Sequence, residues 1–330
     1  MYFNDLYLRF ITGLVTPFCT QDSFWGNILI GEYGILTMTP VFLIGVLLPL
    51  VTGFNLIKHI LDESGLFPRI AMVLDKPFKI IGLNGNAIIP MILGLGCVTV
   101  ALVSTNILGS KRERLIASIL LCIAVPCSAQ VAIIFALAFL LDFKFMLFYF
   151  MVILLVFILL GSLMNLLLPG TIRPLTIDIP PLKRPDFIGI MKKTAKEALE
   201  FLQDTGFTFF IGSIIISIMD YCNVFMILRE RFAPITVGFL NIPENATNLF
   251  VMSIIKRDLG AAGLYSLVSN GSFTQQEIVI TLTVLTLFVP CFASQIILFK
   301  DQRPLTAILI WFGSFVVAFT VGGFVSWLLT

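Results

Sequence analysis

The sequence predicts an all-α integral membrane protein made of two repeat-related halves with broken or re-entrant helices, and three observations predict it. Of 330 residues, 58% are hydrophobic and 12% charged, against about 25% charged in a soluble domain, and the mean hydropathy is +1.03. Apolar runs at 35–57, 86–108, 115–141, 145–168, 206–222, 276–299 and 304–328 approach or exceed the ~20 residues that cross a ~30 Å hydrocarbon layer as helix. "VPCSAQ" at 125–130 recurs as "VPCFASQ" at 289–295, each inside such a run. Seven to nine membrane segments follow, because 60–80 and 247–268 read as half-helices or re-entrant hairpins.

In chain order, residues 1–33 lack a basic stretch followed by a clean apolar one, so they read as an amphipathic N-terminal segment rather than a cleaved signal peptide. Residues 34–168 form the first membrane half. Residues 169–205 open rich in proline and become an amphipathic helix carrying Lys192, Lys193 and Lys196, and residues 206–330 form the second half. The excess of Lys and Arg in this linker and in "GSKRER" (109–114) places both on the cytoplasmic side, with "LDFKF" (141–145) outside. Pro126 and Pro290 stand 164 residues apart (290 − 126), and the same offset carries Gly96 to Gly260. The local order also recurs: a Gly-rich helix, a polar interval, then a long helix broken at Pro-Cys. Inverted repeats of this kind place a transporter's site at midplane, between paired broken helices.

Proline removes a backbone donor and clashes with the carbonyl four residues earlier, freeing polar groups that hydrocarbon cannot satisfy. Pro126 and Pro290 therefore mark a candidate pathway. Cys127 or Cys291 follows each, with Ser128 and the amides Gln130 and Gln295 close behind. Thiolates are soft ligands suited to transition metals, and amide oxygens add harder donors. Cys97 in "GLGCVTV" is a third candidate, with Gly94 and Gly96 permitting close backbone approach and Thr99 nearby. A single Pro-Cys in a membrane helix is more often a plain kink with a small hydrophobe, but two at repeat-related positions favour a path. Asp62, Glu63 and Asp258 are candidate ionisable pathway residues. The alternatives are a solvated helix end paired with Lys58 or Arg69, and mutual pairing of Lys256, Arg257 and Asp258. His59 reads as interfacial.

Six cysteines form no CxxC pair, which argues against a zinc finger or redox motif. One histidine and no HExxH or nucleophile–base pattern leave no basis for an enzyme, and a net charge of +2 gives none for nucleic acid. Beside a metal permease, the residues leave open a transporter of nucleosides or other small organic solutes and a non-transporting membrane scaffold.

"LDESGLFPRIAMVLDKPFKIIGLNGNAIIPMILGLGCVTV" running on to "VPCSAQ" resembles the first Gate region of the ferrous-iron transporter B (FeoB) family, and "IIKRDLGAAGLYSL" with "LTLFVPCFASQ" resembles the second. The resemblance covers roughly residues 31–328. It implies Fe²⁺ as the transported ion, with no bound organic cofactor, across a prokaryotic cytoplasmic membrane, and makes Cys97, Cys127 and Cys291 the cysteines proposed for the family's pathway. Family members usually begin with a cytoplasmic G domain, whereas no GxxxxGK[ST] occurs in these residues. The expectation is a split system in which a separate GTPase docks on the basic cytoplasmic loops, with a FeoA-like small protein and self-association as further partnerships. Asn106 in "VSTNIL" stands where relatives commonly have arginine.

Overall fold

In the computed structural model of the chain, the described residues are 48–170, 186–222, 224, 226–227, 230, 238, 240, 242–243, 245–255, 257–269, 273–288 and 290–329. The expected segment 1–33 and most of the proline-rich stretch lie outside them, as do the side chains of Asp62 and Asp258. The described residues form helices and no strand: α1 (Leu48–Glu63), α2 (Leu66–Ile80), α3 (Ile88–Gly96), α4 (Val98–Ser104), α5 (Lys111–Ile123), α6 (Ser128–Ala138), α7 (Phe143–Leu167), α8 (Phe187–Tyr221), α9 (Asn245–Ile255), α10 (Arg257–Ser269), α11 (Gln275–Leu287), α12 (Phe292–Asp301) and α13 (Pro304–Leu329).

They fall into two compact units, and α1 and α8 belong to the first. The amphipathic helix expected in the linker does not stop at 205 but runs on to Tyr221 as one 35-residue helix. Charges tie it to α1. Lys193 Nζ donates to Glu63 Oε1 at 2.9 Å, and the Asp186 N–H donates to Glu63 Oε2 at 3.1 Å. Glu197 Oε2 lies 3.5 Å from Lys58 Nζ and 3.1 Å from His59 Nε2. Donation from Lys193 holds the Glu63 carboxyl below its ordinary range; modest desolvation opposes it, and the Asp186 N–H reinforces it.

The second unit holds α2–α7 and α9–α13. Among the described residues, two helices are long and apolar enough to cross a membrane, α7 and α13. The stretches Arg69–Ile80 and Gly85–Gly96 qualify together, bent by 105°. The other apolar runs of this unit are cut into shorter helices, because breaks at Cys97 and at the two prolines interrupt them. At the 105° corner Gly82 has φ 81°, and the Gly85 N–H donates to Asp75 Oδ1 at 2.9 Å.

The 164-residue offset is visible in the helices, since it carries α5 onto α11 end for end. The start signals coincide too: Ser110 Oγ accepts from the Glu113 N–H, and Thr274 Oγ1 from the Glu277 N–H. It fails at the glycines. Gly96 ends α3 immediately before a break, whereas Gly260 lies inside α10. There it serves close packing, because a Cβ on it would fall 2.6 Å from the Leu249 carbonyl oxygen of α9. That approach is impossible along one straight helix, so α9 and α10, in the stretch read as half-helices or a re-entrant hairpin, fold back on each other.

α11 is the centre of the core. Its sequence "IVITLTVLTL" has no polar face, and residues 278–287 are all buried. Two threonine hydroxyls are absorbed locally: Thr283 donates to the Val279 carbonyl and Thr286 to the Leu282 carbonyl, each at 2.8 Å. Tyr149 of α7 meets the Thr286 hydroxyl at 2.9 Å. Phe288 packs edge-on against Phe315 of α13 at 4.9 Å, and a Cβ on Gly322 would lie 2.3 Å from Val284 Cγ2.

The basic loop differs from expectation in its charge. Arg112 turns inward, donating to the carbonyls of Leu168 and Asn165 at the end of α7 and to that of Gly82 at the corner after α2. Arg114 donates to the carbonyls of Leu108 and Asn106. Helix-terminal carbonyls attract these cations, so Lys111 is the exposed cation of the "KRER" run.

Two outcomes are expected. G260A lowers stability by about 1–3 kcal/mol, as overpacking against fixed backbone does, read as a fall in thermal midpoint in detergent. A carboxylate with a lowered folded pKa contributes above its unfolded value and loses the contribution as pH falls through the folded one. E63Q therefore lowers the midpoint at neutral pH and matches wild type once the medium is acidic enough to protonate Glu63.

Candidate functional site

The first break follows α5. Ala124 and Val125 still donate back to the Leu120 carbonyl, at 2.9 and 3.2 Å, but Pro126 has no N–H for the Cys122 carbonyl. The chain extends until Cys127, at φ −78° and ψ 167°, caps the start of α6. Gln130, on the first turn of α6 and 2% exposed, works at both ends of its amide. Its Oε1 accepts from the Cys127 N–H at 3.2 Å, and its Nε2 donates to the Leu285 carbonyl at 3.0 Å. That carbonyl belongs to the last turn of α11, which the second break leaves without an intrahelical donor.

The second break runs from Phe288, at φ −66° and ψ 171°, to Cys291, at φ −59° and ψ 156°, which precedes α12. Ser294 stands 164 residues after Gln130, and Gln295 stands 165 after it. Ser294 Oγ donates to the Cys291 carbonyl at 2.8 Å and lies 3.2 Å from the Cys291 sulfur. Gln295 turns away to donate to the Ala307 carbonyl at 3.3 Å.

Arg257, the first residue of α10, joins the two breaks. It is 4% exposed, and its Nη2 donates to the Cys122 carbonyl and, at 2.9 Å, to the Phe288 carbonyl. It is not a surface cation at a cytoplasmic mouth. The proline rule does point to Cys122 as the orphaned acceptor, but no local pattern could name a donor 135 residues away.

Cys97 sits at a third interruption. It is extended at φ −144° and ψ 118° between α3 and α4, and the helices on either side fold back on each other. A Cβ on Gly94 would fall 2.4 Å from Leu121 Cδ2 of α5, so that glycine lets α3 approach the first broken helix. Gly96 and Thr99 are buried, and Ser128 is half-buried. The half-helices beyond the prolines exchange partners: α6 of the first half packs on α10 of the second, and α12 of the second packs on α4 of the first.

Cys97, Cys127 and Cys291 stand at the starts of α4, α6 and α12, and α4 packs on α12 and α3 on α6, which brings the three interruptions into one region. Among the described residues no three His, Cys, Asp or Glu side chains form a group able to hold a metal ion, so the thiols share a region without making a closed ligand shell. Glu63 belongs to the other unit, where Lys193 engages it.

These features define an all-helical membrane protein with two proline-broken helices joined at their breaks. The family model described as "Gate: Nucleoside recognition" matches residues 43–139. Over 216 residues the chain is 29% identical to the Fe(2+) transport protein A/Fe(2+) transporter FeoB fusion protein of Porphyromonas gingivalis W83, covering 64% of this chain and 25% of that one. It is 27% identical to the Fe(2+) transporter FeoB of Staphylococcus aureus COL, covering 63% and 30%, and 28% identical to that of Legionella pneumophila Philadelphia 1, covering 48% and 22%. The membrane region is therefore FeoB-like, while the chain spans less than a third of the length of these relatives. No solved structure matches.

The amide bridge has a measurable weight. Q130L strips partners from two backbone groups worth about 1–3 kcal/mol each, so a loss of about 2–4 kcal/mol is expected in denaturant unfolding of the detergent-solubilised protein. Q295L, which removes one long hydrogen bond, costs about 1 kcal/mol or less by the same scale.

Proposed function

We propose that this chain is the permease part of a ferrous-iron uptake system in a prokaryotic cytoplasmic membrane. The observation that carries the reading is the gathering of Cys97, Cys127 and Cys291 at three helix interruptions within a region similar to proteins named Fe(2+) transporters. Each broken or folded-back helix pair then counts as one crossing or one re-entrant loop, which accommodates seven to nine segments. Hydrated Fe²⁺ enters from outside and exchanges some of its water for sulfur at the breaks, with Ser128 and Thr99 as nearby oxygen donors. An open shell suits conduction, because an ion held by a complete one leaves slowly. The oxygen of Gln130 is engaged with Cys127 and supports the break rather than the ion.

The energy comes from a GTPase supplied outside these 330 residues, as the resemblance implies, with a FeoA-like small protein as a second partner. In the 109–114 loop Lys111 is the exposed charge left to meet a partner, Arg112 and Arg114 being occupied; on α8 Lys192 is exposed, while Lys196 pairs with Glu200.

The test is uptake of radioactive ferrous iron under reducing conditions in cells lacking their own importers, with and without a candidate GTPase. Wild type with the GTPase is expected to import, and a C97S/C127S/C291S variant to fall to background. Import unchanged in the triple variant removes the thiols from the path, and none in wild type favours another solute or a scaffold.

A further inference from the structure

Two carbonyls 166 residues apart in sequence (288 − 122) meet at one nitrogen atom. The Cys122 carbonyl is bare because Pro126 lacks its donor, and the Phe288 carbonyl is bare because α11 has ended. Arg257 Nη2 donates to both. Arginine carries its donors in a rigid planar fork, so the link is not easily shared among floppy alternatives. Gln130 adds a second link between the same two breaks. Because α10 also packs on α6, the helix that begins with Arg257 lies against the helix that begins at the first break. The position 164 residues before Arg257 is Leu93 (257 − 164), so the first half has no counterpart and one side chain serves both breaks.

We propose that Arg257 is a positioning residue that couples the two proline breaks, so that they open and close as one element instead of independently. Opening either break pulls its carbonyl off the guanidinium and leaves a buried charge short of an acceptor, which disfavours a state with one break open and the other shut. Within the permease reading, this gives the ion path a single two-state gate. Its meaning for transport rests on that reading; the coupling itself does not.

The test uses no metal. The full chain in lipid nanodiscs is labelled with a small maleimide, and the rates at Cys127 and Cys291 are followed by mass spectrometry in wild type, R257Q, R257K and P126A/R257Q. A cysteine placed by A318C in α13, where Ala318 is 0% exposed, reports general loosening. R257Q is expected to raise both native rates by a shared factor of about ten or more, the scale of losing charge-assisted hydrogen bonds. R257K keeps the charge without the fork and gives a smaller shared factor, and it carries the test if R257Q does not fold. In P126A/R257Q, replacing the proline restores the backbone N–H that the Cys122 carbonyl lacks, so the Cys127 rate returns towards wild type while Cys291 stays fast. Acceleration of one thiol alone in R257Q, of neither, or of the A318C thiol equally overturns the coupling. Ferrous uptake is measured separately, and its absence in wild type ends the iron reading without touching the labelling result.

Discussion

The structure depends on where the carbonyl groups at the two helix breaks find donors. In water a broken helix is cheap, since solvent takes over the orphaned groups. In a bilayer each one must be met by protein, and two breaks in neighbouring helices therefore need their own local supply of hydrogen bonds. Gln130 and Arg257 furnish it for Cys122, Leu285 and Phe288. Both donors reach across from one half of the repeat to the other, so neither break is satisfied by its own half alone.

That sharing explains why the halves interlock. A half-helix beyond a proline is too short to span alone and has its start exposed, and each packs against a helix of the other half's folded-back pair. The small residues sit where this demands close approach: Gly94 beneath Leu121, and Gly260 and Gly263 against Leu249. α11 lies in the middle, with residues 278–287 buried and Thr283 and Thr286 turned back onto its own carbonyls. A helix without a polar face can only be central.

The same arrangement sets the electrostatics of a path. A buried guanidinium within reach of Cys127 is a fixed positive charge beside the groups proposed to meet a divalent cation. Repulsion between them is strong where water is scarce, and the carbonyls that Arg257 holds are withdrawn from the ion. Under the proposed permease reading, sulfur and hydroxyl groups are the donors left to attract the ion.

Composition and run length fixed the membrane class, because hydrocarbon admits few charges and demands helices. The proline rule located both breaks, and the 164-residue offset agrees with the match of α5 with α11, since both follow from local chemistry. Partner choice did not follow. Gln130 bridges the breaks while Gln295 turns to Ala307, Arg257 is buried against the Cys122 and Phe288 carbonyls, and Arg112 and Arg114 donate to backbone carbonyls. Glu63 pairs with Lys193, 130 residues away. A residue's type and spacing state which bonds it needs, but which group supplies them is decided by chain segments brought together in three dimensions, and that only the tertiary structure determines.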